Sequence, residues 1–380
     1  MFETMRRKVS KLKYYKTSIL MVFSFLFGCM LTINLTPIDK TCKIEDSDRE
    51  YNIMRNSKLK NPDLIILILS APRNMDRRNV IRQTWLQLVD TNPEDEENIK
   101  FKMKHYFVIG SLGLSVDDIL HLSTEQSQFS DILILPMYDS YQNLTMKVLK
   151  SFEWLDEQFD YGLGFRYVLK CDDDSFVRLD KLSTEIANVE LIYLKSDLKY
   201  VKSLAENDAS PFIRSNVQIN KDGTKNELEL YWGYFHGSAK VKTAGKWKEP
   251  NWISCDRYVP YALGGGYILS RKLISFIAQN RDNFRQYNSE DVSVGSWLAP
   301  VTNILRLHDI RFDTEWTSRG CQNFYLITHN ITKEEMQKMY DNIITTNNLC
   351  SATSIKRRHY FYNWAVPPSQ CCNLKEKEKT

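Results

Sequence analysis

Hydrophobic positions fall into three regimes along the chain. After a basic start (Arg6, Arg7, Lys8, Lys11, Lys13, Lys16), residues 18–35 are uncharged and largely apolar, about the minimum for one helical membrane span. Residues 36–61 are polar and show no hydrophobic period, the pattern of a tether. Beyond them, short apolar runs alternate with helical spacing. Leu64 to Leu69 is continuous Ile and Leu, ended by Ser70-Ala71-Pro72-Arg73, as in a strand buried on both faces. Residues 76–89 carry apolar side chains at helical intervals (Val80, Ile81, Trp85, Leu88). A second strand follows at 101–109, a helix at 117–129, and a third strand at 132–135 that Pro136 should stop. A helix at 145–159 and a fourth strand at 165–169 complete the series. This alternation predicts an α/β fold with a mostly parallel, doubly wound sheet, whose ligands lie beyond the carboxyl ends of the strands.

The pattern lapses over 190–229, which is polar and contains Pro211 and Gly223; it reads as a flexible insertion in the catalytic unit. Order returns at Leu230-Tyr231-Trp232 and again around Gly264-Gly265-Gly266. The glycine spacing fits neither a dinucleotide fingerprint nor a P-loop. It suits either a floor that a ligand approaches closely or a plain tight turn.

Charge gives the first regime a direction. Basic residues precede 18–35, whereas Asp39, Glu45, Asp46 and Asp48 follow it, so the N-terminus should stay cytosolic. A cleaved signal peptide would have a similar layout, but no small-x-small cleavage site follows Phe27. The expected organisation is a cytosolic tail (1–17), a signal-anchor helix (18–35), a stem (36–61) and a single lumenal catalytic domain (62–380). The net charge of +4 is too small to argue for nucleic acid. Lys240, Lys242, Lys246 and Lys248 share one loop, either as a solvated surface or toward an anionic partner. Six cysteines (Cys171, Cys255, Cys321, Cys350, Cys371, Cys372) fall in the predicted lumenal catalytic domain and allow fifteen pairings. None has zinc-site spacing, and Cys171, inside a predicted buried strand, should be an inert thiol. Sequons occur at Asn34, Asn143 and Asn330; Asn143 could equally cap a helix.

The chemistry concentrates at two acidic corners. Asp172, Asp173 and Asp174 follow Tyr167-Val168-Leu169 directly. Adjacent carboxylates repel, and a hard divalent cation relieves them; the plainer alternative is a solvated acidic turn. Glu290 and Asp291 stand where a helical period begins, so they either cap that helix or serve as acid–base groups.

Several motifs carry a resemblance: Arg77-Arg78-x-x-Ile81-Arg82-x-Thr84-Trp85, Asn143-Leu144-Thr145-x-Lys147, Lys170-x-Asp172-Asp173-Asp174, Tyr261-Ala262-x-Gly264-Gly265-Gly266-Tyr267, Glu290-Asp291-Val292-x-x-Gly295 and Thr328-His329. In this order they resemble the β-1,3-glycosyltransferase family that includes the Golgi β-1,3-galactosyltransferases. YALGGGYILS, SEDVSVGSWLAP, HDIRFDTEW and PPSQCC look like its branch that builds the glycosaminoglycan linker. The polar excursion at 190–229 departs from the family pattern by its length.

The resemblance implies a GT-A type, Rossmann-like fold in a single-pass type II Golgi membrane protein. It implies UDP-galactose as donor, Mn²⁺ as cofactor, and galactose added β1-3 to the Gal-β1-4-Xyl primer on proteoglycan core proteins, the precursors of heparan sulfate and chondroitin sulfate. By motif, Asp174 is the direct metal ligand, and Asp172 and Asp173 hold ribose or metal-bound water. His329 is the second ligand, with His308 as the alternative or as a buried structural histidine. An inverted product requires one displacement, for which Asp291 is the base and Glu290 its neighbour, orienting it or holding the acceptor. Arg73, Arg82 and Lys147 are candidates for the nucleotide's charge, Gly265 and Gly266 for its close approach. Tyr231, Trp232 and Tyr267 are candidates for stacking on sugars, although aromatic residues beside strands more often pack a core, and Trp85 is a candidate for the core. Two rivals share the pattern: a β-1,3-N-acetylglucosaminyltransferase or other β-1,3-glycosyltransferase, and a non-catalytic chaperone or lectin. The second should have lost the metal aspartate or the base, and this chain keeps candidates for both.

Overall fold

The structure, a computed structural model, describes residues 61–90, 101–195, 213–216 and 229–372. Asn61–Thr380 forms one compact unit. The predicted tail, membrane span and all of the stem but Asn61 lie outside the described residues. Among the described residues, no helix is long and apolar enough to cross a membrane.

The Ile/Leu run becomes β1 (Leu64–Leu69), every side chain of which is buried. It is held between β2 (Met103–Leu112) and β4 (Tyr167–Asp172), parallel to both. A strand covered on both faces has no polar side to show, hence the unbroken apolar run. Each fully buried Leu or Ile contributes roughly 1.5–3 kcal/mol, so this strand anchors the core. Outside β2 lies β3 (Ile132–Tyr138). It continues through Pro136 because it is the edge strand, where a missing N–H is tolerated.

The rest of the large sheet adds β8 (Tyr261–Ser270), β7 (Leu230–His236), β9 (Leu305–Asp309) and β6 (Ile213–Asn216), in the order β3-β2-β1-β4-β8-β7-β9-β6. Pairing is antiparallel at β4–β8, β8–β7 and β9–β6 and parallel elsewhere, so all strands but β8 and β6 share one direction. This is the mostly parallel sheet that the alternation predicted.

Seven α-helices fall within the described residues: α1 (Met75–Gln83), α2 (Val116–Phe129), α3 (Leu144–Asp160), α4 (Leu179–Lys195), α5 (Arg271–Gln279), α6 (Glu290–Leu298) and α7 (Lys333–Thr346). The helix expected at 76–89 ends early, giving way to a 3-10 turn at Trp85–Asp90; Trp85 is fully buried. Two parts of the interval read as a flexible insertion, 190–229, are regular. Helix α4 runs on to Lys195, and Ile213–Asn216 pairs with β9.

A small sheet of β10 (Phe312–Asp313), β12 (Ile327–Thr328) and β5 (Phe176–Val177) folds the chain's later part back onto the acidic triplet. A ribbon of β11 (Gly320–Cys321) and β13 (Ser354–Ile355) lies further on. Cys321 is bonded to Cys350 and Cys371 to Cys372. Cys171 is buried and free, as expected, and Cys255 is free and exposed.

Candidate active site

Strand β4 delivers the triplet. β4 ends at Asp172, and the turn formed by Asp173 and Asp174 brings Asp172 and Asp174 together and leaves Asp173 apart from them. Asp173 accepts hydrogen bonds from Ser70 Oγ (2.7 Å) and Asn74 Nδ2 (2.8 Å), both at the end of β1. Burial raises its pKa, against those two bonds.

Asp172 and Asp174 meet His329. The antiparallel register Thr328↔Phe176 carries the next residue, His329, back past Ser175 toward Asp174. Backbone bonds His329 N–H to Asp313 O (3.0 Å) and Ile331 N–H to Asp174 O (2.9 Å) fix the approach. His329 Nε2 lies 3.3 Å from Asp174 Oδ1 and 3.6 Å from Asp172 Oδ2. One donor atom from each of the three residues lies within 4.8 Å of the others. Asp174 Oδ1 is buried and accepts no aligned hydrogen bond. An orphaned carboxylate oxygen, a second carboxylate and an imidazole form a donor set that suits a divalent cation.

His308, the alternative ligand, is fully buried elsewhere. Its Nδ1 accepts from Phe235 N–H and its Nε2 faces Tyr360 O, each at 3.0 Å. Burial pushes its pKa down to about 3. It is the structural histidine of the two.

Glycines let the site close. A Cβ at Gly265 would lie 2.5 Å from His329 Cγ, and one at Gly264 would lie 2.6 Å from Glu290 Oε1. Gly295 serves α6 in the same way: its absent Cβ would meet Tyr261 Cβ at 2.4 Å, so this helix can pack against β8. Gly266, expected beside the nucleotide, instead faces Ile327 and Thr314 and gives β12 room to pack.

The second acidic corner begins α6, as the sequence predicted. Asp291 Oδ2 accepts from Gly264 N–H (3.0 Å) and its Oδ1 from Val292 N–H (2.8 Å). Burial raises its pKa, opposed by Lys170 and these two donors. Glu290 is placed differently. Its Oε1 pairs with Lys170 Nζ and its Oε2 accepts from Tyr267 O–H (3.1 Å). Glu290 is thus held in a buried ion pair with Lys170, whereas Asp291 is held by backbone donors alone. Burial pushes its pKa up to about 7, with Lys170 pulling the other way.

Lys170 links the two corners: its Nζ donates to Glu290 and to Gly264 O (2.6 Å) and forms an ion pair with Asp172 Oδ1 (2.9 Å). Burial disfavours its charge, but Asp172 and Glu290 outweigh that and raise its pKa. Sequence reasoning used Lys170 only as part of a motif. It stands two residues before Asp172 on a strand, and that period-2 spacing could have identified it.

Asp172, Asp173, Asp174, His329, Gly264, Gly265, Glu290 and Asp291 line one cavity of about 510 Å³. Lys147 lines it too, with its ammonium on Ser70 O (2.6 Å) and Asp139 Oδ2 (2.7 Å); its nearest charge partner is thus Asp139 and not the triplet. Arg73 and Arg82 are absent from the lining. Arg73 is exposed and paired with Asp118. Arg82 is buried with Glu125 and Asp131, and Arg78 completes that network through Glu125. These arginines satisfy carboxylates of α2 and the turn after it. Tyr231, Trp232 and Tyr267 are fully buried and pack the core; none can stack on a sugar. Open aromatic surface at the cavity comes from Tyr141, Trp247 and Trp316, which no local sequence signal marks.

A cation corner and an oriented carboxylate sharing one cavity beside an α/β sheet form a site for group transfer from a charged donor. Residues 76–305 match the Galactosyltransferase family, and the chain belongs to it, within the β-1,3-galactosyltransferases. It is 40% identical to mouse beta-1,3-galactosyltransferase 6 over 315 residues, 82% of this chain and 83% of that protein. It is 27% identical to mouse beta-1,3-galactosyltransferase 1, covering 86% and 85% respectively. Arabidopsis thaliana hydroxyproline O-galactosyltransferase GALT6 is 27% identical over 82% of this chain, although that match spans only 37% of the plant protein. The protein is a galactosyltransferase, which requires a nucleotide-sugar donor and a glycan acceptor.

Proposed function

We propose that this protein transfers galactose from UDP-galactose, in β1-3 linkage, to the Gal-β1-4-Xyl primer of proteoglycan core proteins. The observation that carries the proposal is the shared cavity: Asp291 opens onto the same space as Asp172, Asp174 and His329. Stretches such as YALGGGYILS and HDIRFDTEW support the finer choice of acceptor.

Asp174, His329 and Asp172 would hold Mn²⁺. A bound divalent cation neutralises charge on the diphosphate as it leaves. Ser70 and Asn74 fix Asp173 in the lining of the cavity. Two backbone N–H groups orient Asp291, leaving its remaining lone pairs for the acceptor hydroxyl. That hydroxyl oxygen bonds to the anomeric carbon from the face opposite the diphosphate, its proton passes to Asp291, and the bond to phosphate breaks. Configuration inverts in this single displacement. Residues 18–35 would anchor the protein in the Golgi membrane, with the catalytic unit in the lumen. The two disulfides support an oxidising compartment.

The test is incubation of the purified unit with UDP-galactose, Mn²⁺ and a Gal-β1-4-xyloside, with linkage analysis of the product by NMR. A β1-3 digalactosyl product is expected. Transfer from UDP-N-acetylglucosamine alone, or a different linkage, would refute the assignment.

A further inference from the structure

The cavity is lined by two kinds of side chain, carboxylates with His329 and a set of aromatic rings. Of these rings, Tyr258 and Tyr261 are buried, but Trp316 is 57% exposed and Tyr141 43% exposed. Three separate loops bring Trp316, Trp247 and Tyr141 together. Trp247 and Trp316 meet edge to face at 5.5 Å, and Trp247 Nε1–H donates to the Tyr141 hydroxyl. The Lys246 ammonium lies 3.9 Å from the Trp316 ring centre, 4.4 Å from Trp247 and 5.0 Å from Tyr141. Cation–π attraction therefore holds the three rings in one arrangement. The loop is also latched behind: Glu249 Oε2 accepts from Asn288 N–H (2.6 Å), two residues before Glu290.

A contiguous cluster of partly exposed aromatic rings beside a cavity marks a ligand-binding surface. Sugars offer one, because the C–H face of a pyranose is apolar while its rim is hydroxylated. An indole face presents apolar area with little entropy to lose, and an ammonium beside it donates hydrogen bonds to the rim. Burial, and then the charges of Asp291, Asp172 and Glu290, raises the pKa of Tyr141 against its bond from Trp247. Tyr141 thus stands within electrostatic reach of both acidic corners.

We propose that Trp316, backed by Trp247 and Tyr141 and clamped by Lys246, is the platform on which the acceptor saccharide stacks. This rests on the glycosyl-transfer assignment above and adds the residues that select the acceptor. The platform holds the acceptor ring while Asp291 receives the proton of its attacking hydroxyl.

The test measures Trp316→Ala and Trp316→Tyr against wild type, using a Gal-β1-4-xyloside as acceptor. For Trp316→Ala the acceptor KM should rise about tenfold, with kcat and Mn²⁺-dependent UDP affinity within about twofold of wild type. Trp316→Tyr should recover most of the loss. An unchanged acceptor KM, or a matching fall in UDP affinity, would overturn the platform. If wild type ignores the xyloside, the linker assignment fails on its own. The same comparison is then made with whichever β-glycoside in a panel wild type does extend, and the same two outcomes decide.

Discussion

Replacing Gly265 with alanine tests the metal corner without touching a ligand. The added Cβ would lie 2.5 Å from His329 Cγ, 2.7 Å from its Cβ and 3.0 Å from Cδ2. Ordinary carbon contacts are about 3.5–4.0 Å, so either the strand or the imidazole must give way by about 1 Å. The strand is poorly able to move, being paired to β4 at the next residue, Gly266, and held by Ser175 on the Gly265 carbonyl (2.6 Å); the histidine is the softer element. A misplacement of about 1 Å in a positioned group can cost roughly 10²-fold in rate, and overpacking adds about 1–3 kcal/mol of destabilisation. The expected variant is folded, melts a few degrees lower, and binds UDP weakly at low Mn²⁺. Raising the metal concentration should restore part of its activity. The measurements are calorimetric titration of Mn²⁺ in the presence of UDP, kcat at saturating donor, and thermal melting. Gly266→Ala is the comparison: its Cβ would press on Ile327 at 3.0 Å, so stability should suffer while metal dependence stays intact. Wild-type Mn²⁺ affinity and kcat in Gly265→Ala would show that His329 is not held where the cation needs it.

Further outcomes follow from other groups. Asp291→Asn should lower kcat by roughly 10²–10⁴ while sparing UDP binding; near-normal turnover would remove Asp291 as the base. Because burial raises the Asp291 pKa, wild-type turnover should fall with decreasing pH at values above the usual carboxylate range, about 4. An acidic limb at or below that range would contradict the raised pKa. Asp174→Ala should weaken Mn²⁺-dependent UDP binding, and unchanged metal dependence would show the wrong ligand. His308 gives a stability prediction. Its folded pKa is pushed down to about 3 by burial, with Arg319 and His359 adding to the effect. The unfolded state therefore takes up a proton near pH 6.5 that the folded state refuses. Stability is full above that pH and should fall by about 2 kcal/mol between pH 7 and pH 5. Denaturant melts of wild type and His308→Gln would check this; equal pH slopes would refute it.

Much of the frame was readable from one-dimensional pattern. The unbroken apolar run at Leu64–Leu69 announced a strand covered on both sides, and β1 is buried throughout. The triplet and the Glu290-Asp291 pair were identified from local chemistry, and both line the cavity. Errors arose where a partner lies far along the chain. Arg73 and Arg82 looked free to meet phosphate because Asp118, Glu125 and Asp131 approach only when α2 packs beside α1. Of the two roles open to the strand aromatics, sugar stacking or packing, Tyr231, Trp232 and Tyr267 take the second, being fully buried. Trp247 and Trp316 were passed over because loops carry no period. Asp172's place beside His329 was not legible, because Asp173 and Asp174 lie in a turn past the end of β4, where no strand period fixes which carboxylates converge.

The stretch that matches the family, 76–305, omits both an interior strand of the sheet, Leu64–Leu69, and the histidine that completes the cation corner. A fragment trimmed to those limits would therefore have a gap through its middle and two-thirds of a binding cluster. Shortened versions prepared for crystallisation or inhibitor screening must begin before Leu64 and continue past His329, or they will report on a different molecule.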